Sequence, residues 1–132
     1  MRAVARRREG YAHDVEIEGG HELLIDEPES AGGSDRGPSP TRLLAAALAS
    51  CTAITMEMYA ERKEWDLSDV EVIVDMEYEK AVPSSFEVTL RLPRALSEEQ
   101  RERLKTMAGR CPVHKALSHD RDVTILDRVE LV

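Results

Sequence analysis

Aromatic side chains are scarce in this sequence, with one Trp, three Tyr and one Phe among 132 residues. The length suffices for one ordinary core, so residues 1–132 are read as a single domain. Two cysteines are too few for a disulfide scaffold. Basic residues are outnumbered, 18 Lys and Arg against 26 Asp and Glu, and the net charge of −8 argues against a nucleic-acid partner. No repeat or low-complexity tract appears. No stretch of about 18 uninterrupted apolar residues suggests a membrane span. The opening MRAVARRREGYAHD lacks the apolar core of a secretory signal, so a soluble, cytoplasmic protein is expected. Gly32-Gly33 and Gly37 lack the Gly-Lys-Ser/Thr of a phosphate loop, and no GxSxG elbow points to hydrolysis. Paired CxxC or HxxxH metal spacings are also missing, so neither a cofactor nor a metal is expected.

What is present is strong local patterning. Charged residues at 33% beside apolar ones at 42% describe a folding chain rather than a disordered one. Tyr11, His13, Val15 and Ile17 alternate with Ala12, Asp14, Glu16 and Glu18, and Gly19-Gly20 permits a tight hairpin into a strand over Glu22–Asp26. A further strand is expected over residues 2–8. The segment PESAGGSDRGPSP, residues 28–40, is too rich in glycine and proline for a helix or strand and reads as a loop. Ser39 as N-cap and Pro40 in the first helical position then open a helix to about residue 63, where Arg62-Lys63 suit the negative end of the dipole. Its stretch LLAAALA continues apolar past Cys51 to Met58, which predicts a helix buried within the domain or between subunits.

Two more strands follow, Val70–Glu79 and Phe86–Leu92, joined by AVPSS as a short loop. Ser97-Glu98-Glu99-Gln100 has the spacing of a capping box and opens a second helix ending near Gly109; a short helix starts at Cys111-Pro112. A last strand is expected over Val123–Val132. The expected order is βββ-α-ββ-αα-β, an α+β domain.

Chemistry concentrates on the two cysteines. Cys51 lies mid-helix on a stripe with Leu44, Leu48, Thr55 and Met58, where it reads either as a small core hydrophobe or as a thiol activated by a cation from another segment. Cys111, at a helix start beside Arg110 and Lys115, is by local physics the better candidate for a lowered pKa, or else simply a helix cap. Cys51, Cys111 and His114 supply three soft metal ligands, one short of a structural zinc set.

The combination GGSDRGPSPTRLLAAALASCTAI, followed 60 residues on from Cys51 by CPVHKAL, resembles the OsmC/Ohr family of osmotically induced and organic hydroperoxide resistance proteins. The resemblance covers nearly the whole chain. It implies antiparallel sheets around a long buried central helix, an intertwined homodimer, and active sites at the subunit interface. It also implies a thiol-dependent peroxidase of the oxidative stress response, with no nucleic acid or membrane as partner. Cys51 is then the peroxidatic thiol and Cys111 the resolving one; an organic hydroperoxide is the substrate and a dithiol the reductant. Family peroxidases place an arginine and a glutamate beside the thiol. The nearest arginine is Arg36, whereas Thr41 and Arg42 stand where the glutamate is usual. That departure keeps a second reading open, a weakly active or non-catalytic relative binding a small hydrophobic ligand at the dimer interface. The few aromatics favour an aliphatic pocket for either role.

Overall fold

The computed structural model describes residues 1–120 and 122–132. Its elements run β1 (Ala3–Glu9), β2 (Ala12–Ile17), β3 (His21–Ile25), a 3-10 turn (Glu29–Ala31), α1 (Pro40–Arg62), β4 (Glu71–Glu79), β5 (Val82–Arg91), α2 (Glu98–Ala108) and α3 (Pro112–Leu117). The α+β class and the antiparallel sheets follow the expectation, and so does the long helix. Among the described residues no strand forms over Val123–Val132, which corrects the expected last element. Its apolar side chains, among them Ile125, Leu126 and Leu131, are exposed. A strand needs a neighbour to take its backbone N–H and C=O groups, and alternation in sequence does not supply one.

The chain divides into two compact units. One comprises Met1–Ala46 with Met76–Phe86, the other Ala47–Asp75 with Glu87–Val132. In the first, β1, β2 and β3 form an antiparallel sheet in sequence order, with Val15 facing Ala5 on one side and Leu23 on the other. The loop after β3 is tied down by a buried carboxylate. Asp26, 1% exposed, accepts hydrogen bonds from the backbone N–H groups of Glu27 (2.8 Å), Ser34 (3.2 Å) and Arg36 (3.3 Å). This close wrapping explains two of the loop glycines. A Cβ at Gly33 would lie 2.0 Å from Glu27 O, and one at Gly37 2.0 Å from Leu24 O.

The second unit holds the larger core. Met56, Ala60, Leu67, Leu96, Leu104 and Ala108 are buried together, with Tyr59, Trp65, Val72 and Leu90 packed against them. In α1 the buried residues are Leu48, Thr52, Met56 and Ala60, a strict four-residue spacing along one face. The stripe that carries Cys51 is not the buried row: Leu48 is shared with it, but Leu44 and Met58 are 39% and 61% exposed. With apolar residues on every side, the sequence of α1 does not say which face its own chain covers.

The capping box of α2 forms as its spacing predicts: Ser97 Oγ accepts from Gln100 N–H at 3.1 Å, and Gln100 Oε1 accepts from Ser97 N–H at 2.8 Å. The β4–β5 turn is shorter than expected, because Val82–Ser85 belong to β5 rather than to a loop. Lys80 and Ala81 make the reversal themselves, with φ of 50° and 66°. Two consecutive positive φ values belong to the tight hairpin turns that Asn-Gly usually builds, so neither residue signals the turn in sequence.

Candidate active site

The site grows from two helices of the second unit. Cys51 is carried by α1, whose carbonyl at that position accepts a 2.7 Å hydrogen bond from Thr55 Oγ1; its side chain is partly exposed. Cys111 is the N-cap of α3, fully buried at 0% exposure. Proline in the first turn of α3 fixes this start, and the Cys111 sulfur accepts the N–H of His114 at 3.5 Å. The fold brings the two free thiols near enough, across 60 residues of sequence, for Cys51 to influence the ionisation of Cys111.

The electrostatics of Cys111 reverse the local reading of the sequence. Burial pushes its thiol above the ordinary cysteine value, and the nearby Cys51 pushes the same way. The N–H groups of His114 and Val113 pull in the opposite direction without prevailing. A six-residue helix brings few aligned peptide dipoles, whereas complete removal from water penalises a thiolate heavily. Cys111 thus holds its proton.

Arg36 lies in the first unit. Its backbone N–H is held by Asp26 and its guanidinium sits 3.9 Å from Glu9. Burial alone would raise the Asp26 pKa, but the N–H donors of Glu27, Arg36 and Ser34, aided by the Arg36 charge, bring it below its ordinary value. Thr41 shares a 3.0 Å hydrogen bond with the Tyr78 hydroxyl. Among the described residues no cluster of three or more His, Cys, Asp or Glu side chains is placed to hold a metal, so Cys51, Cys111 and His114 do not form the triad weighed from sequence.

Two buried polar positions escaped the sequence. Asp26 reads there only as the end of a strand, and nothing local announces three backbone donors converging on it. Thr52 reads as one more interruption of an apolar helix. It is 1% exposed, and its Oγ1 has no hydrogen-bond partner among the described residues.

The chain is an antiparallel α+β protein with a free thiol on a long apolar helix. Comparison places it further. Residues 32–126 match the OsmC-like protein family, and the chain belongs to that family. Solved structures share the fold. An OsmC-like protein from Mycoplasma pneumoniae is 18% identical, with a TM-score of 0.75 and coverage of 89% of this chain and 86% of its own. An organic hydroperoxide resistance protein OsmC from Legionella pneumophila is 23% identical, with a TM-score of 0.62 and 89% of each chain covered. An organic hydroperoxide resistance protein from Elizabethkingia anophelis is 22% identical, with a TM-score of 0.64 and 86% and 84% covered. No curated protein matches the sequence.

Proposed function

We propose that this protein is a two-cysteine peroxidase that reduces organic hydroperoxides to alcohols. The observation that carries the proposal is the proximity of Cys51 and Cys111, two free thiols near enough for one to influence the ionisation of the other. Family membership and the organic hydroperoxide resistance proteins among the structural neighbours support the substrate class.

The chemistry divides the two sulfurs by role. Cys51, partly exposed, is reachable by a substrate, and its thiolate attacks the terminal peroxide oxygen. The O–O bond breaks, the alkoxide takes a proton and leaves as the alcohol, and Cys51 becomes a sulfenic acid. Cys111 then attacks that sulfur; its proton leaves with the hydroxyl as water, and a Cys51–Cys111 disulfide forms. A dithiol reductant returns both thiols. The raised pKa of Cys111 fits this order: it keeps the resolving thiol protonated until the sulfenic acid has formed. Arg36 is the cation proposed to favour the Cys51 thiolate, and Arg36→Gln is expected to slow peroxide consumption.

The assembly proposed is a homodimer. Only 22% of the most apolar stretch of α1 is buried in the single chain, and Leu44, Ile54 and Met58 are exposed along it. Apolar surface of that kind marks an interface. The same surface supports a second reading, a fold relative that holds a hydrophobic small molecule there without turnover. The two separate on substitution: Cys51→Ser abolishes turnover if the thiol is peroxidatic, while Cys111→Ser still reduces one equivalent of peroxide and stops as a sulfenic acid. Equal turnover by Cys51→Ser and the unsubstituted protein rejects the peroxidase.

A further inference from the structure

The two cysteines differ sharply in access, and the difference bears on how the oxidised protein is returned to its thiols. Cys51 is partly exposed on α1, whereas Cys111 is completely buried at 0% exposure. The Cys111 sulfur is also tied inward. It accepts the N–H of His114 at 3.5 Å, and Pro112 follows it directly, which restricts the backbone on which it turns. Thiol–disulfide exchange needs a thiolate to approach one sulfur from the side opposite the bond that breaks, so the rate depends on which sulfur is open to attack. A fully buried sulfur offers no such side unless the start of α3 comes away and its cap is lost. Leaving-group chemistry pulls the other way. A thiol of lower pKa leaves faster, and the raised value of Cys111 makes it a poor leaving group, which counts against attack at Cys51. That effect only scales a rate that access must first permit, so access decides.

We propose that Cys51 is the entry point for the reductant as well as for the peroxide, and that Cys111 is the thiol expelled. The inference rests on the two-cysteine reading above. One thiolate of a dithiol attacks Cys51 Sγ, the Cys51–Cys111 bond breaks, and Cys111 leaves as a thiolate that takes up a proton. The second thiolate of the reductant then attacks the reductant's own sulfur in the mixed disulfide. The bond to Cys51 breaks, Cys51 leaves as a thiolate, and the dithiol departs as a closed disulfide, having given two electrons to the protein. Peroxide and reductant therefore act in turn on one sulfur, while Cys111 exchanges only with Cys51.

The test uses the full-length protein oxidised with diamide, so that the disulfide forms without peroxide. Failure to form a Cys51–Cys111 disulfide rejects the two-cysteine reading, and this inference with it. With the disulfide in hand, the monothiol β-mercaptoethanol is added and the reaction is stopped with acid at successive early times. Free thiols are blocked with N-ethylmaleimide, and the peptide carrying each cysteine is identified by mass spectrometry. The mercaptoethanol adduct is expected on Cys51 and the maleimide on Cys111, in about tenfold excess over the reverse labelling. Adduct on Cys111, or on both cysteines equally, at the earliest times overturns the proposal. Single-cysteine variants separate entry from later internal exchange. Bis(nitrobenzoate) disulfide is expected to label Cys51 in Cys111→Ser roughly tenfold faster than Cys111 in folded Cys51→Ser. Equal rates in the two folded variants overturn it as well.

Discussion

Asp26 shows how much one side chain organises. Its carboxylate gathers three backbone donors spread over ten residues, and the loop carrying Arg36 is shaped around it. Because its folded pKa lies below the ordinary value, the charged form contributes stability that is present above about pH 3.9 and lost as pH falls through the folded value. Acid titration is therefore expected to release the Ser34 and Arg36 amides to hydrogen exchange. Asp26→Asn, which removes the charge but keeps one acceptor, is expected to release them already at neutral pH; unchanged protection in that variant contradicts the assignment. Cys111 titrates in the opposite sense. Its raised value favours the folded protein below the ordinary thiol pKa of about 8.5, an advantage lost as pH rises through the folded value. Neither direction was legible in sequence. The start of α3 suggests an anion-stabilising site, and only the tertiary burial of Cys111 turns the sign.

At the scale of elements, the sequence is legible where local chemistry decides and obscure where packing does. The capping box at Ser97 and Gln100 forms as spelled, and Ser97→Ala is expected to cost about 1 kcal/mol, read as a lower denaturant midpoint at constant m. The Lys80-Ala81 turn is the counterexample. It occupies left-handed backbone without the residues that usually go there, which is why Val82–Ser85 read as loop. Replacing the pair with Asn-Gly is expected to stabilise the hairpin by roughly 1 kcal/mol, because the left-handed conformation penalises a Cβ. No gain in midpoint would mean the turn is held by something other than its own dihedral preferences. Pro40 and the basic residues at its end place helix α1 in the sequence, yet nothing there picks out its buried face. An all-apolar helix carries no moment from which to read that face.

Across the whole molecule, the family was legible from two motifs, and the pairing of the cysteines was implied by that resemblance rather than by spacing. Sixty residues of separation say nothing about proximity; the fold brings Cys51 near enough to influence Cys111. The exposed Ile54 and Met58 of α1 carry the expectation of a dimer. Sedimentation is expected to give twice the 14.8 kDa chain mass, and Met58→Glu to shift it toward a monomer; a stable monomer before substitution contradicts the assembly. The central claim is that Cys51 and Cys111 form one redox unit. Stopped-flow mixing of the reduced protein with cumene hydroperoxide, followed by a thiol count, tests it most directly. The account predicts loss of peroxide much faster than with a free thiol, both protein thiols consumed, and an intramolecular disulfide as product. Peroxide loss no faster than with a free thiol, with both cysteines still titrating as thiols, would contradict it.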